Sequence, residues 1–326
     1  MSTAVLVAGG AGYIGSQTCK VLASNGFLPV TIDNLSTGHK ESVKWGPLIE
    51  ADIRDAVAVQ KAISDYDIKA AIHFAAFSLV GESTKDPAKY YDNNVSAATA
   101  FASHLIEGGV KALVFSSTAA AYGVPQTRLI GEDHPKKPIN PYGDSKLAFE
   151  TALHWLSQAH DLSYVVLRYF NAAGADLDGE VGESHRCETH LIPLICQAAL
   201  GTGKALTVFG DDYATKDGTP IRDYIHVVDL ANAHVEAIRY LLNGGKSDAF
   251  NVGTGEGLTV LEVIKAAESI MGMPVPHSVG PRREGDPEIL VADVSKIRST
   301  FNWSPLYSDA DTIIRTAAQW QKTRPY

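Results

Sequence analysis

The sequence of 326 residues has few cysteines and no excess of basic charge, and each shortage excludes a class of protein. Its three cysteines, Cys19, Cys187 and Cys196, are odd in number and scattered. They do not indicate a disulfide framework, and we expect a reducing cytoplasm as the compartment. Lys and Arg total 28 against 37 Asp and Glu, which gives a formal charge of −9. Without a basic stripe, neither a nucleic acid nor an anionic membrane is an expected partner.

Long apolar runs are also missing. No stretch of about 18 apolar residues occurs, so we expect no membrane span. The chain leads at once into an apolar strand without the basic region of a signal peptide, so we expect no targeting segment. What the chain has is 45% hydrophobic and 20% charged residues, as an ordinary globular protein has.

Short apolar runs alternate with helical stretches through the first half of the chain. The runs are rich in Val, Ile, Leu and Ala without strict alternation, which is typical of parallel strands buried on both faces. Predicted strands cover 5–8, 28–32, 48–51, 70–74, 112–116 and 164–168, and predicted helices lie near 14–25, 55–64, 88–108 and 143–160. This order predicts an α/β fold with a doubly wound parallel sheet of the Rossmann type.

The pattern changes after residue 171. The expected elements there are a long loop, a helix, a strand with its helix and a short strand, at 171–190, 191–200, 222–237 and 249–252. We therefore predict a larger domain at 1–170 and a smaller α/β domain at 171–326. A segment near 222–252 is a candidate for return to the main sheet.

The first predicted strand runs straight into a glycine turn, Gly9-x-x-Gly12-x-x-Gly15, and a helix follows. Such a turn lets the backbone approach a dinucleotide pyrophosphate, whose charge faces the helix N-terminus. Glycine turns are common, so the motif alone leaves open a turn without a ligand. Asp33, at the end of the second predicted strand, strengthens the cofactor interpretation. A carboxylate there accepts hydrogen bonds from ribose hydroxyls and repels a 2′-phosphate, which favours NAD over NADP.

Residues that follow two further strands extend this predicted cofactor site. Asp52 and Ile53 follow the third strand, where they can reach an adenine. Phe74, Ala75 and Ala76 follow the fourth, where small residues let the chain pass close to a cofactor.

Tyr142 and Lys146 are four residues apart on a predicted helix and therefore share a face. A phenol has a pKa near 10, too high for a base at neutral pH, but a nearby ammonium favours the phenolate. Ser116 and Thr118 add hydroxyls at the end of the fifth strand, the edge of such sheets where ligands bind. The Tyr-Lys spacing alone is weak, and Thr118 alone could cap a turn. Together these residues predict hydride chemistry on an alcohol or ketone.

These residues are set in a long series of motifs. They are GGAGYIG, DNLSTG, ADIRD, HFAA, VGES, YYDNNV, FSSTAAAYG, NPYGDSK, LRYFNAAGA, ETHLIP, RDYIHVVDLA, NVGTG and RREGDPE. From residue 5 to about residue 303, the chain resembles the extended short-chain dehydrogenase/reductases and, within their nucleotide-sugar branch, the UDP-glucose 4-epimerases. The order and spacing of so many motifs are highly specific for that branch.

The resemblance implies a redox epimerisation in galactose metabolism. Tyr142 takes the proton of the sugar 4-hydroxyl while the C4 hydride passes to NAD, and the 4-keto sugar turns over before both return. Domain 1–170 would bind NAD and domain 171–326 the UDP-sugar. Further implied cofactor contacts are Tyr13, Ile14, Asn34, Asn94, Ser116, Tyr142, Lys146 and Tyr169.

The resemblance also implies a substrate site. Its residues are Thr118, Asn171, His190, Leu191, Thr207, Phe209, Arg222, Arg283, Asp286 and Leu290. Arg222 and Arg283 can pair with a diphosphate, although each alone could be a surface ion pair. Phe209 can flank uracil, and Asp286 can accept from a uridine ribose.

The chain departs from the family pattern at a few positions. Ser78 stands where some members have a cofactor-contacting Lys, and His190 replaces an Asn. His185, Cys187 and His190 could suggest a metal cluster, but no second ligand pair follows in the sequence, and we expect no metal. Leu290 falls where, by the family resemblance, a large Tyr excludes an N-acetyl group on the sugar and a small residue admits it. Leucine is intermediate in size.

Several alternatives stay open at this point. A 4,6-dehydratase would need an acidic pair after Thr118, where this chain has Ala119 and Ala120. An epimerase of UDP-GlcNAc or of UDP-xylose and UDP-arabinose uses identical chemistry, and a non-catalytic NAD-sensing protein is less favoured by the intact Tyr-Lys pair. The resemblance further implies a homodimer through the helices near 88–108 and 143–160.

Overall fold

A computed structural model describes residues 2–283 and 285–326. Met1 and Glu284, the latter inside the RREGDPE motif, lie outside the described residues. The strands are β1 Ala4–Ala8, β2 Leu28–Asp33, β3 Leu48–Glu50, β4 Ile68–His73, β5 Ala112–Thr118, β6 Ser163–Tyr169, β7 Asn171–Ala173, β8 Leu206–Phe209, β9 Ile221–Arg222, β10 Tyr224–His226, β11 Asp248–Val252, β12 Leu258–Thr259, β13 His277–Gly280 and β14 Ile289–Leu290. The α-helices are α1 Tyr13–Ser24, α2 Ala56–Tyr66, α3 Val80–Ser83, α4 Pro87–Tyr91, α5 Ala98–Glu107, α6 Pro141–Ala159, α7 Leu191–Ala199, α8 Val227–Leu242, α9 Val260–Met271, α10 Ser295–Phe301 and α11 Ala310–Thr323.

Seven strands form one parallel sheet in the order β11-β6-β5-β4-β1-β2-β3. Successive side chains of β1 enter cores on opposite faces. Val5 and Val7 join the core under α1 and α8, and Leu6 joins the core under α2, α5 and α6. Burial on both faces explains the unbroken apolar runs of the sequence. The predicted doubly wound α/β sheet is therefore confirmed.

The remaining strands form three small sheets. β7 pairs with β10, β8 with β13, and β9 with both β12 and β14. Helices α7, α9 and α11 pack together over a separate apolar core. β11, from the segment near 222–252, pairs with β6 at the edge of the large sheet. The predicted domain limits at 1–170 and 171–326 stay a prediction.

Two sequence predictions differ from the structure. The predicted helix 88–108 is divided into α4, a π-helical turn at Asp92–Ala97 and α5. The predicted loop 171–190 begins with β7, whose short length and Asn-Ala-Ala sequence gave no strand pattern. Among the described residues, no helix has both the length and the apolar character that crossing a membrane requires.

Candidate active site

The glycine turn connects β1 to α1 through contacts too close for a side chain. A Cβ atom on Gly9 would lie 2.6 Å from the Ala75 nitrogen, and one on Gly15 would lie 2.1 Å from the Gly9 oxygen. At Gly12 the same atom would meet only the Gly9 oxygen, at 3.4 Å. Gly12 is also the N-cap of α1, where no side chain caps the helix and no acidic residue lies in the first turn. The turn thus presents free backbone N–H groups beside an open surface, as an anion site requires.

Tyr13 and Ile14 follow this turn at the start of α1. The Tyr13 hydroxyl donates to the Gly174 oxygen at 2.6 Å, and burial raises the pKa of this phenol. Ile14 packs on the core beneath. Tyr13 therefore connects the glycine turn to the loop that follows β7.

Asp33 ends β2 and supports the same turn from the side. Its carboxylate accepts the Ala11 N–H at 3.0 Å and the Leu35 N–H at 2.8 Å, and only 8% of the residue is exposed. Burial raises the pKa of Asp33, and the two N–H donors oppose that change. Because a carboxylate has about four acceptor positions, two contacts leave room for ribose hydroxyls.

The other predicted adenine-side residues lie after β2 and β3. Asn34 donates to Asp52 at 3.2 Å, and Asp52 also pairs with Arg54 at 3.0 Å, which lowers the pKa of Asp52. Ile53 is 6% exposed and belongs to the core, so its side chain packs inward.

The chain after β4 passes the end of β1. The N–H groups of Phe74 and Ala75 both donate to the Ala8 oxygen, at 2.8 and 3.1 Å, and Ala76 follows in the same half-buried loop. Ser78 is exposed in this loop.

Asn94 lies in the π-helical turn and binds this loop to α6. Its side chain accepts from the Phe77 N–H and donates to the Phe77 oxygen, both at 3.0 Å. It also donates to the Ser145 hydroxyl at 3.1 Å. The residue is 1% exposed, and its amide atoms are fully engaged with protein partners. Asn94 therefore connects the loop after β4 to α6, and its contact with a cofactor stays a prediction.

Helix α6 brings the three predicted catalytic residues together. Asn140 caps it by accepting the Gly143 N–H at 2.8 Å, and Pro141 occupies its first turn. Tyr142, Lys146 and Thr118 are 8%, 3% and 8% exposed. All three sit at the carboxyl end of β5, on the edge where the glycine turn lies.

Lys146 donates to the Ser116 oxygen at 2.8 Å. Burial lowers the pKa of Lys146 to about 7, and the nearby Glu150 carboxylate opposes that change. Burial raises the pKa of Tyr142, and the Thr118 hydroxyl opposes it. The Thr118 hydroxyl oxygen also accepts the Ala120 N–H at 3.1 Å, so its own hydrogen is free to be donated. Burial therefore shifts both pKa values against the charged form, the phenolate of Tyr142 and the ammonium of Lys146.

Ser116 and Tyr169 complete the inner wall. The Ser116 hydroxyl lies 2.7 Å from His234 Nε2, and His234 Nδ1 lies 2.8 Å from the Leu230 oxygen. A carbonyl only accepts, so Nδ1 carries the hydrogen and Ser116 donates to Nε2. Burial raises the pKa of Tyr169, with a contribution from nearby Tyr142, and the Ser116 hydroxyl opposes it.

Sequence reasoning missed His234 and a buried pair that supports α6. Glu150 and Arg168 approach to 2.6 Å with side chains 7% and 4% exposed, and Ser117 also donates to Glu150 at 2.6 Å. Glu150 lies four residues after Lys146, so the spacing that identified Lys146 could have found it. No local pattern marks His234, which reaches Ser116 across 118 residues.

The predicted diphosphate and uridine residues form one group. Arg222 pairs with Asp286 at 2.6 Å, and Leu290 lies beside Arg222 across β9 and β14. The Arg283 guanidinium stacks 4.0 Å from the Phe209 ring centre, and the Asp286 N–H donates to the Arg283 oxygen at 3.2 Å.

Three further predicted substrate residues surround this group less directly. Thr207 is exposed on β8, two residues before Phe209. Asn171 donates to the Asp223 oxygen at 3.0 Å, next to Arg222. Leu191 begins α7 and packs partly on the core of the smaller unit.

His190, the residue before α7, contacts a carboxylate, and its contact with a substrate stays a prediction. Its Nδ1 atom makes a very short contact with Glu183, and His185 lies 3.2 Å from Glu183 and 3.4 Å from Glu188. Burial acts against charge on His185, but the two carboxylates outweigh it and raise the pKa of His185 to about 10. They raise the pKa of His190 in the same way. The carboxylates of this cluster were not predicted as site residues.

Comparison with known proteins assigns the chain to a family. Residues 5–253 match the family model described as the NAD dependent epimerase/dehydratase family. A UDP-glucose 4-epimerase of Rhizobium leguminosarum bv. trifolii is 51% identical over 97% of this chain and 96% of its own length. The structure of UDP-glucose 4-epimerase from Brucella ovis in complex with NAD is 49% identical, with a TM-score of 0.96 over 97% of this chain and 98% of that one.

A third relative has both cofactor and nucleotide sugar. It is a UDP-glucose-4-epimerase from Stenotrophomonas maltophila with bound NAD and formylated UDP-arabinopyranose. It is 39% identical, with a TM-score of 0.95 over 98% of each chain. The match over most of the chain, together with the glycine turn and the buried Tyr142 and Lys146, establishes that this protein belongs to the NAD dependent epimerase/dehydratase family.

Proposed function

We propose that this protein is an isomerase, a UDP-glucose 4-epimerase that interconverts UDP-glucose and UDP-galactose by inversion at C4 through a transient 4-keto sugar. The observation that carries the proposal is the buried set of Tyr142, Lys146 and Thr118 at the same carboxyl edge of the sheet as the glycine turn. Relatives of this name match the chain over nearly its whole length. Function in galactose metabolism, in a reducing cytoplasm, goes with this assignment.

The chain's residues fit NAD. The uncapped start of α1 at Gly12 offers N–H groups to a pyrophosphate, and Asp33 has acceptor positions left for a ribose. Lys146 spends one N–H on Ser116 and keeps two for ribose hydroxyls. When bound, the cofactor supplies the chemistry of accepting a hydride from the sugar C4 and giving it back.

Tyr142 would hold and move the proton of the sugar 4-hydroxyl. The Thr118 hydroxyl keeps its hydrogen free and can donate it to the sugar oxygen or to the phenol oxygen. Burial of both residues excludes water from the proton transfer. One phenol that takes the proton and later returns it is sufficient for an inversion without net redox change.

The nucleotide would bind at the group around β9 and β14. Arg222 and Arg283 carry the charge for a diphosphate, Phe209 offers its ring to uracil, and Asp286 offers its carboxylate to the uridine ribose. Asn171, His190, Leu191 and Thr207 stay predicted contacts around them.

The first experiment replaces the proposed base. We expect Tyr142→Phe to keep the NAD content of the purified protein and to lose about 100-fold to 10,000-fold in turnover, the usual contribution of a general acid–base group. Tyr66→Phe, at the end of α2, is the matched control and should leave turnover unchanged. Unchanged turnover in Tyr142→Phe would contradict the assignment, and full biological function in a dead variant would favour the NAD-sensing alternative.

The sugar preference is a narrower proposal. Leu290 lies beside Arg222, near the expected sugar, and is smaller than the Tyr that excludes an N-acetyl group. The Stenotrophomonas maltophila relative was solved with a UDP-pentose derivative. A panel of UDP-hexoses, UDP-N-acetylhexosamines and UDP-pentoses, followed by product analysis, would therefore rank the three classes. Preference for a class other than the hexoses would correct the substrate and keep the chemistry.

We also propose a homodimer through α5 and α6. Helix α6 carries Trp155, 66% exposed, on its outer face. Pairing of two copies through this face would bury the indole between them. Light scattering of the purified protein should give twice the chain mass, and a monomer mass would contradict the proposal.

A further inference from the structure

Four potential metal ligands converge on the short segment that precedes α7. They are Glu183, His185, Glu188 and His190, and one ligand atom of each lies within 4.8 Å of all the others. Both imidazoles point their Nδ1 atoms at the two carboxylates. From sequence, His185 and His190 were set aside as metal ligands because no second pair followed them. In the structure the two glutamates are that second pair.

The distances from His185 Nδ1 to the two carboxylates match those of a small tetrahedral site. Ligands bound to Zn²⁺ at 2.0–2.1 Å lie about 3.3 Å apart in a tetrahedron. His185 Nδ1 lies 3.2 Å from Glu183 Oε1 and 3.4 Å from Glu188 Oε2, and His190 Nδ1 lies 4.0 Å from Glu188 Oε1. The contact between His190 and Glu183 is shorter than such a site requires, and a small rotation of the half-exposed imidazole would lengthen it.

A second observation concerns Glu188 alone. Its Oε1 atom accepts the N–H groups of Thr189 and His190, at 2.8 and 2.9 Å, which fixes the carboxylate at the start of α7. Among the described residues its buried Oε2 atom has no hydrogen-bond partner, it lies 3.4 Å from His185 Nδ1, and the side chain is 6% exposed. A buried carboxylate oxygen without a partner is unfavourable. Oε2 faces His185, and a cation between them would satisfy it.

We propose that Glu183, His185, Glu188 and His190 form a binding site for one divalent transition-metal ion, with Zn²⁺ as the best fit. Two imidazole nitrogens favour a transition ion over Mg²⁺ or Ca²⁺, which select oxygen ligands. Four protein ligands make the site structural. Exposed Cys187 is outside the ligand set. The 46% exposed His190 side chain provides an entry path.

The site would fix the segment next to the cofactor turn. Ser184 and His185 line a cavity of about 50 Å³ together with Gly12 and Tyr13. The backbone oxygen of Glu183 also accepts the Trp320 indole N–H at 2.9 Å. A bound ion would therefore hold the segment 183–190 between α1, α7 and α11. Such a site would form whichever sugar the enzyme converts.

The test measures metal on the whole protein with the cofactor it carries. After treatment with a chelator and its removal, Zn²⁺ is titrated against a chromophoric competitor, and bound metal is counted by elemental analysis. We expect one ion per chain. His185→Asn and Glu188→Gln should each weaken Zn²⁺ binding by at least about 100-fold. Even loss of a residue that only hydrogen-bonds to a metal ligand lowers metal affinity by about 10-fold to 100-fold. Circular dichroism should show that both variants are folded.

Two control variants make the result specific. Cys187→Ser removes the nearby thiol, and Asp178→Asn changes a separate acidic group whose members already surround Lys20. Both should bind Zn²⁺ like the unchanged chain, and Co²⁺ should give the intense visible absorption of a four-coordinate ion in all but the ligand variants. Absence of stoichiometric binding, or equal binding by His185→Asn, would overturn the proposal and identify the cluster as an internal imidazolium–carboxylate network.

Discussion

We expect Glu150→Gln to destabilise the protein strongly, although Glu150 touches neither proposed ligand. Glu150 receives three contacts from the Arg168 guanidinium at 2.6–3.2 Å and one from Ser117. Arg168 also donates to the Tyr122 hydroxyl at 3.0 Å, and that hydroxyl donates to Asn251 at 2.7 Å. The substitution leaves a buried guanidinium with a neutral partner. The whole network, across β5, β6, β11 and α6, is therefore affected.

The magnitude follows from burial. Breaking a buried ion pair by neutralising one partner costs about 3–5 kcal/mol. Gln keeps an acceptor for Arg168, so we expect a loss near the lower limit, about 3 kcal/mol, from a total that is about 5–15 kcal/mol for a typical domain. Urea unfolding, with NAD at a fixed saturating concentration, measures it, because ligand binding itself adds stability.

The control and the double variant make this expectation testable. Glu107→Gln on α5 removes a 67% exposed carboxylate from a pair with His104, and should change stability by less than about 1 kcal/mol. Glu150→Leu combined with Arg168→Met removes both charges and should be more stable than Glu150→Gln. If Glu150→Gln lost no more than the Glu107 control, the argument that this pair supports α6 would be refuted.

Two further predictions concern buried polar residues. Burial lowers the pKa of His234 from 6.5 to about 4, so the unfolded state binds more protons between these values and stability is lost as pH falls from about 6.5 to 4. This loss amounts to roughly 3 kcal/mol. His234→Gln keeps an acceptor for Ser116, so in this variant the free energy of unfolding, measured in urea, should fall less over that pH range. Asn94→Ala removes the connection between Phe77 and Ser145, so we expect a lower turnover and a lower NAD content with an unchanged far-ultraviolet circular dichroism spectrum. Normal NAD content in this variant would show that the connection is dispensable.

The parallel sheet could be predicted from sequence because burial on both faces has a local signature. Strand β1 is apolar at every position and β5 at its first four, and their order with the helices determines the topology. The glycine turn and Asp33 could be predicted for a similar reason, since each follows a strand directly. Contacts between residues adjacent to strand ends are set by the sheet itself.

The break between α4 and α5 could not be predicted in this way. Residues 88–108 have helical periodicity throughout, and nothing in their sequence requires a π-helical turn at Asp92–Ala97. The turn places Asn94 against Phe77 and Ser145, both distant in sequence. The π-helical turn contains an extra residue, and these tertiary hydrogen bonds stabilise it. The local pattern predicts the helix but not the interruption that places Asn94 between Phe77 and Ser145.

One face of α6 has both a residue set that a local pattern predicts and a partner that it does not. Tyr142, Lys146 and Glu150 recur every four residues, so the rule that found the first two also selects the third. The rule cannot predict Arg168. This residue lies on β6, and it contacts Glu150 only because β6 is the neighbour of β5 in the sheet. Without that partner, Glu150 would be an unfavourable buried charge one turn from Lys146. The pair therefore fixes α6 from its buried side, and Tyr142 and Thr118, the proposed catalytic residues, stay at the carboxyl edge of the sheet.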